Sequence, residues 1–234
     1  MKKFIVLDVE TSKGKGASVY DLGYIITDSR GKIYEKQSLF ILDTAMMKKD
    51  NSLELTEEIK KSHYAQKVQK YYLDGIMVNY WQAVTFSEVF ERFNKSIETY
   101  KIKRVYAYNM AFDFRHLNNT CNELLHCDFF PDNVEIKCIW AYATNTICNN
   151  RNYFKWCEEN NKVSNKGNVK TNAETVYGYI KNIPMFEEKH TGLEDCYIEL
   201  EILLACKKKR TKEESTVSAS CWRIPNKKYK MWRK

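Results

Sequence analysis

The sequence predicts an α/β fold, and three observations predict it. The first forty residues read as successive apolar strand-like runs, a helical stretch then leads directly into a buried strand, and no repeat or Pro-rich linker divides the chain. With 234 residues and 44% apolar content, the chain is long enough for one sizeable core and short for two.

The elements follow in order. FIVLDVE (4–10), LGYIITD (22–28) and KIYEKQSLFIL (32–42) read as strands. DSRG (28–31) supplies a turn between the second and third, so an antiparallel meander is expected. Residues 52–72 are rich in Glu, Lys and Gln without Pro or Gly and read as helical. A second helix is expected over 85–100, with Val89, Phe90, Phe93 and Ile97 on one face. KIKR then leads into the strand VYAYN, which runs into the helical stretch MAFDFRHLNNTCNELL (110–125). VEIKCIWAYA (134–143) reads as a strand, and the Asn- and Lys-rich piece from 145 to 170 as a surface insertion. Two helices close the domain, near 172–182 and over 191–207.

Charge is unevenly distributed. The chain carries +8 overall, yet residues 207–234 alone hold eleven basic and two acidic side chains, leaving 1–206 near neutrality. Trp222, Tyr229 and Trp232 are interleaved with those cations, a mix suited to phosphates and stacked bases, although a solvated flexible tail has the same composition. The division expected is therefore a domain at 1–206 and a basic, aromatic-containing tail at 207–234. The eight cysteines form no CxxC pair, which argues against a zinc knuckle and for reduced, buried thiols. No run approaches the roughly 18 apolar residues that span a bilayer, and no secretory signal opens the chain, so no membrane partner and a cytoplasmic address are expected.

Three short motifs carry chemistry. In FIVLDVET, Asp8 and Glu10 project from one face of a strand and Val9 from the other. Two carboxylates about 4 Å apart repel by roughly 4 kcal/mol at an effective dielectric near 20, so a divalent cation, a proton or solvent must offset them. D-x-E arises about once by chance in this composition, and alone decides nothing. In NMAFD, Asn109 ends a strand and can cap the next helix, which puts Asp113 in its first turns. N-x-x-F-D is expected only about 0.04 times by chance, which makes it the most specific of the three. In HTGLED, Thr191 and Glu194 fit a T-x-x-E capping box, with His190 just ahead of the helix and Asp195 in its first turns. Asp195 should then be partly buried and in need of a partner.

Read in order, Asp8, Glu10, Asp113, His190 and Asp195 resemble the signature of the DEDDh, DnaQ-like, family of 3′ to 5′ exonucleases, which includes proofreading subunits and RNA-trimming enzymes. The likeness covers about residues 3–206. It implies a ribonuclease H-like mixed sheet flanked by helices, and a metal-dependent exonuclease that hydrolyses terminal phosphodiester bonds of nucleic acid, with single-stranded DNA the expected substrate. It further implies two divalent cations, Mg²⁺ or Mn²⁺, held by Asp8, Glu10, Asp113 and Asp195, with Asp8 bridging and His190 accepting a proton from water. Thr11 and Asn109 would contact substrate, and a polymerase or other replication protein would be a partner. Phe112 and the Tyr and Trp of IWAY are expected in the core. An RNA- or oligoribonucleotide-trimming exonuclease and a catalytically weak nucleic-acid-binding module are the alternatives.

Overall fold

The computed structural model describes residues 2–12, 17–49, 52–60, 82–209 and 220–233. Three strands open it: β1 (Lys3–Thr11), β2 (Val19–Asp28) and β3 (Ile33–Ile41). They pair antiparallel in sequence order, as the meander predicts. The turn closes at the expected place: the Gly31 N–H reaches the Asp28 carbonyl at 2.9 Å, and Gly31 takes the left-handed φ of 80° that glycine adopts freely.

Short pieces follow, α1 (Leu42–Ala45), β4 (Met46–Lys49), β5 (Ser52–Leu55) and α2 (Glu57–Lys60). Residues 52–55 thus pair with β4 in a two-stranded ribbon instead of starting the helix expected over 52–72. The rest of that expected helix, from 61 onward, lies outside the described residues. The edge strand β6 (Gln82–Val84) joins β3 in parallel. Then come α3 (Phe86–Tyr100), β7 (Arg104–Ala107), α4 (Met110–Leu125) and β8 (Glu135–Cys138). Helix α3 starts on a full capping box, with Thr85 and Glu88 bonding each other's backbone N–H groups.

The main sheet runs β6-β3-β2-β1-β7-β8, antiparallel through the meander and parallel at β3–β6, β1–β7 and β7–β8. Its two faces are separately covered. Ile5, Leu7 and Val9 of β1 face the cluster built with α3 and α4 around Phe86, Phe93 and Leu117. Phe4 and Val6 face the opposite cluster, which contains the remaining helices α5 (Ile139–Thr146), α6 (Arg151–Glu159), α7 (Ala173–Lys181), α8 (Gly192–Lys208) and α9 (Arg223–Trp232). Each fully buried Phe or Leu adds about 1.5–3 kcal/mol to this two-sided core.

Two expectations change on this second face. The strand expected over 134–143 ends at Cys138, and Ile139–Thr146 is helical, because a run containing two alanines follows a β-conformation N-cap and its buried face, with Ile139, Tyr142 and Ala143, packs on α8. The stretch from 145 to 170 is no surface insertion. Asn150 accepts the Tyr153 N–H at 3.0 Å to start α6, whose Tyr153, Phe154 and Cys157 are fully buried. Asparagines and lysines around this stretch concealed its apolar face. The C-terminal helix α9 is likewise packed: Tyr229 is buried beside Phe154, with ring centroids 5.4 Å apart. The carboxamide of Asn226 holds both backbone groups of Val169, accepting its N–H at 2.7 Å and donating to its carbonyl at 3.2 Å. All eight cysteines are free thiols.

Candidate active site

Strand alternation delivers the first two acids. Val9 belongs to the α3–α4 core, so Asp8 and Glu10 emerge on the opposite face of β1, toward α8. Asp8 sits opposite Gly23 of β2, and a register shift between Glu10 and Thr11 ends the regular pairing just beyond them.

The second motif docks onto the first through the backbone. Asp113 lies in the first turn of α4, is only 1% exposed, and its carboxylate accepts the Val9 N–H. Asn109 occupies the N-cap position as expected, but with φ 63° and ψ 44° and without a side-chain cap bond. The tight left-handed turn is what swings α4 away from the strand direction. The Asn109 side chain is thereby freed to face the cleft instead of capping, and its Oδ1 is buried with no partner.

The third motif arrives by a close backbone approach. A Cβ at Gly23 would lie 2.1 Å from the carbonyl carbon of Gly192, and one at Gly192 would lie 2.5 Å from the Gly23 nitrogen. Two facing glycines therefore let the start of α8 touch the sheet at the level of Asp8. The buried Asp21 side chain accepts the Gly192 N–H at 3.0 Å, satisfying one of the helix's first donors. The expected capping box forms only in part: the Thr191 hydroxyl donates to the Glu194 carboxylate at 2.8 Å, and its side chain caps no backbone N–H. His190, just ahead of the helix, has a left-handed φ of 58°. One ligand atom each from Glu10, His190 and Asp195 fall within 4.8 Å of one another.

Asp8, Asn109 and Asp195 line a cleft of about 280 Å³, together with Tyr108, Trp140, Asn172, Ala173, Glu188 and Glu199. Trp140 was expected in the core. It packs, partly buried, against that core and also forms cleft wall, held by a 3.0 Å bond from its indole N–H to the Thr171 hydroxyl, while Tyr142 of the same helix is fully core. Phe112 packs against the α3–α4 core as expected, and Thr11, half-buried, does not line the cleft.

The electrostatics are those of crowded anions. Burial, followed by the negative charges of Glu199, Asp113, Asp195 and Glu10, pushes Asp8 well above the usual carboxylate range. Burial first and then Asp21, Asp113 and Glu188 raise Glu10 to about 8. Burial raises Asp113 to about 8, against the opposing hydrogen bonds it accepts. Burial followed by Glu188, Glu10, Asp21 and Glu194 takes Asp195 to about 9. Oδ1 of Asp113, Oδ1 of Asp195 and Oε2 of Glu199 are buried without a hydrogen-bond partner. Oxygen donors crowded together and left unsatisfied are the donor set of a hard divalent cation, so the residues present fit such ions.

Asp21, Glu188 and Glu199 were not picked out from the sequence. Only Glu199 carried a readable signal: it follows Asp195 by four positions on one helix, and so shares its face.

No protein-family model matches the sequence, nor does it match a curated protein. The chain is a ribonuclease H-like α/β domain, and solved structures of E. coli Exonuclease I share the fold. The complex of that enzyme with a dT13 oligonucleotide superposes with a TM-score of 0.59 at 12% identity over 90% of this chain. The complex with a 5cy-dT13 oligonucleotide gives 0.56 at 14% identity over 90%, and that with dA16 gives 0.52 at 10% over 86%. The chain spans about two fifths of the length of those structures, 40–42%.

Proposed function

We propose that this protein is a metal-dependent 3′ to 5′ exonuclease acting on nucleic acid, with single-stranded DNA as substrate. The observation that carries this reading is the convergence of acids from three distant segments: the nearby charges of Glu199, Asp113, Asp195 and Glu10 all act on Asp8 and favour its protonated form, and His190 stands beside Glu10 and Asp195. The fold supports it, since E. coli Exonuclease I, crystallised with dT13 and dA16, has the same architecture.

Asp8, Glu10, Asp113 and Asp195 would hold two Mg²⁺ or Mn²⁺ ions. Bound divalent cations supply electrostatic stabilisation of the charge that develops on phosphate oxygens. The chain's own residues do the rest. His190 accepts the proton of the attacking water; the water oxygen bonds to phosphorus as the bond from phosphorus to the 3′ oxygen breaks, and that oxygen leaves to take up a proton. Tyr108 and Trp140 offer the terminal base an aromatic wall, their rings stacked with centroids 6.4 Å apart. Asn109 presents its unpartnered carbonyl oxygen to a donor on the terminal nucleotide.

A 5′-labelled single strand incubated with Mg²⁺ or Mn²⁺ tests the reading. Stepwise shortening from the 3′ end is expected. Asp8→Asn should lower the rate at least about 10³-fold and His190→Ala by about 10²–10⁴-fold, with unchanged circular dichroism. A mobility shift without shortening would make the protein a binding module instead, and full activity in either variant would remove the role assigned to that residue.

A further inference from the structure

Helix α8 brings a second carboxylate to the cleft. Glu199 follows Asp195 by one turn, and both line the cavity with Asp8. Its neighbours Leu200, Ile202 and Leu203 are core residues, and Glu199 itself is only 3% exposed. A leucine or alanine would fill such a position without electrostatic cost, whereas a buried carboxylate is expensive unless something compensates it. The backbone N–H of Tyr108 donates to this carboxylate, yet Oε2 is buried with no partner. Nor do the described residues lining the cleft supply a counter-charge: none of them is a Lys, Arg or His.

We propose that Glu199 is a fifth carboxylate of the cation site, acting beside Asp8. This deepens the exonuclease reading and rests on it. Its Tyr108 contact sets one oxygen, leaving Oε2 as the donor. The same contact ties Glu199 to the turn that carries Asn109.

Mn²⁺ binding to the full chain without nucleic acid tests this, read from the loss of the free-ion electron paramagnetic resonance signal on titration. Glu199→Gln keeps the shape and an acceptor for the Tyr108 N–H but removes the charge. It should weaken the tighter Mn²⁺ site by at least about tenfold. Glu199→Met, which fills the volume without an oxygen, should do the same, and Glu199→Gln, which keeps the Tyr108 acceptor, should melt no lower than wild type in EDTA. Wild-type Mn²⁺ affinity in both variants, with affinity lost in Asp8→Asn, would overturn the role of Glu199 while leaving the cation site standing. No Mn²⁺ binding by the wild type would overturn both readings.

Discussion

Burial raises the proton affinity of Asp8, Glu10, Asp113 and Asp195, and neighbouring acids add to it for all but Asp113, so the cation-free fold is most strained where these groups ionise. Each keeps its proton in the folded chain to a higher pH than in the unfolded chain, where Asp and Glu titrate near 3.8 and 4.5. Between those values and the folded-state values of about 8 to 9, the native state binds more protons than the unfolded state. Stability contributed by these groups is therefore present at low pH and is lost as pH rises through that window. In EDTA the melting temperature should fall from pH 5 to pH 8.5, and Mn²⁺ should restore it most at the upper end. Calorimetry across pH with and without the ion checks this, and a melting temperature that rises with pH in EDTA would contradict it. The placement of Asp8, Glu10, Asp113, His190 and Asp195 at a strand end or at helix starts was readable in the sequence from local spacing. Asp21 carried no local sign of its burial, and Glu199 carried only its spacing of four from Asp195, which places the two on one helix face without marking either as buried.

The approach of α8 to the sheet sets the distances of the site. It depends on two glycines that touch, Gly23 opposite Asp8 and Gly192 at the helix start. Gly23→Ala would force atoms to within 2.1 Å of the helix backbone, so the helix start must move away from β1. The expected outcome is a loss of at least about 3 kcal/mol by urea denaturation, together with weakened Mn²⁺ binding as Asp195 withdraws from Glu10. Wild-type stability and binding would show that the contact is not what sets the spacing. Local pattern made α3, α4 and α8 legible, through an apolar face in α3 and the T-x-x-E spacing at the start of α8. It could not reveal the glycine contact, which pairs residues far apart in sequence, nor α6, whose buried Tyr153, Phe154 and Cys157 are enclosed by polar neighbours. The strand assigned to 139–143 failed for a related reason, since a short apolar run reads equally as buried strand or buried helix.

Across the whole molecule, the meander and the succession of helices and strands were legible as an α/β fold, while the fate of the basic C-terminal residues was not. Composition identified a charged segment; it could not say that Tyr229 and Asn226 anchor part of it to the domain. The packing leaves Arg223, Lys227 and Lys230 exposed on α9, with no acidic residue in that helix. If these cations follow a nucleic-acid strand, replacing all three with Gln should lower affinity and make the slope of log K against log salt shallower by about 2, with melting unchanged. An unaltered slope in fluorescence anisotropy titrations would exclude them from the path. Asn226 has a further consequence, because its partner Val169 lies 57 positions earlier and the cleft wall at Asn172 and Ala173 follows immediately after. During synthesis the segment leading to that wall therefore gains this support only after α9 has been made and has docked.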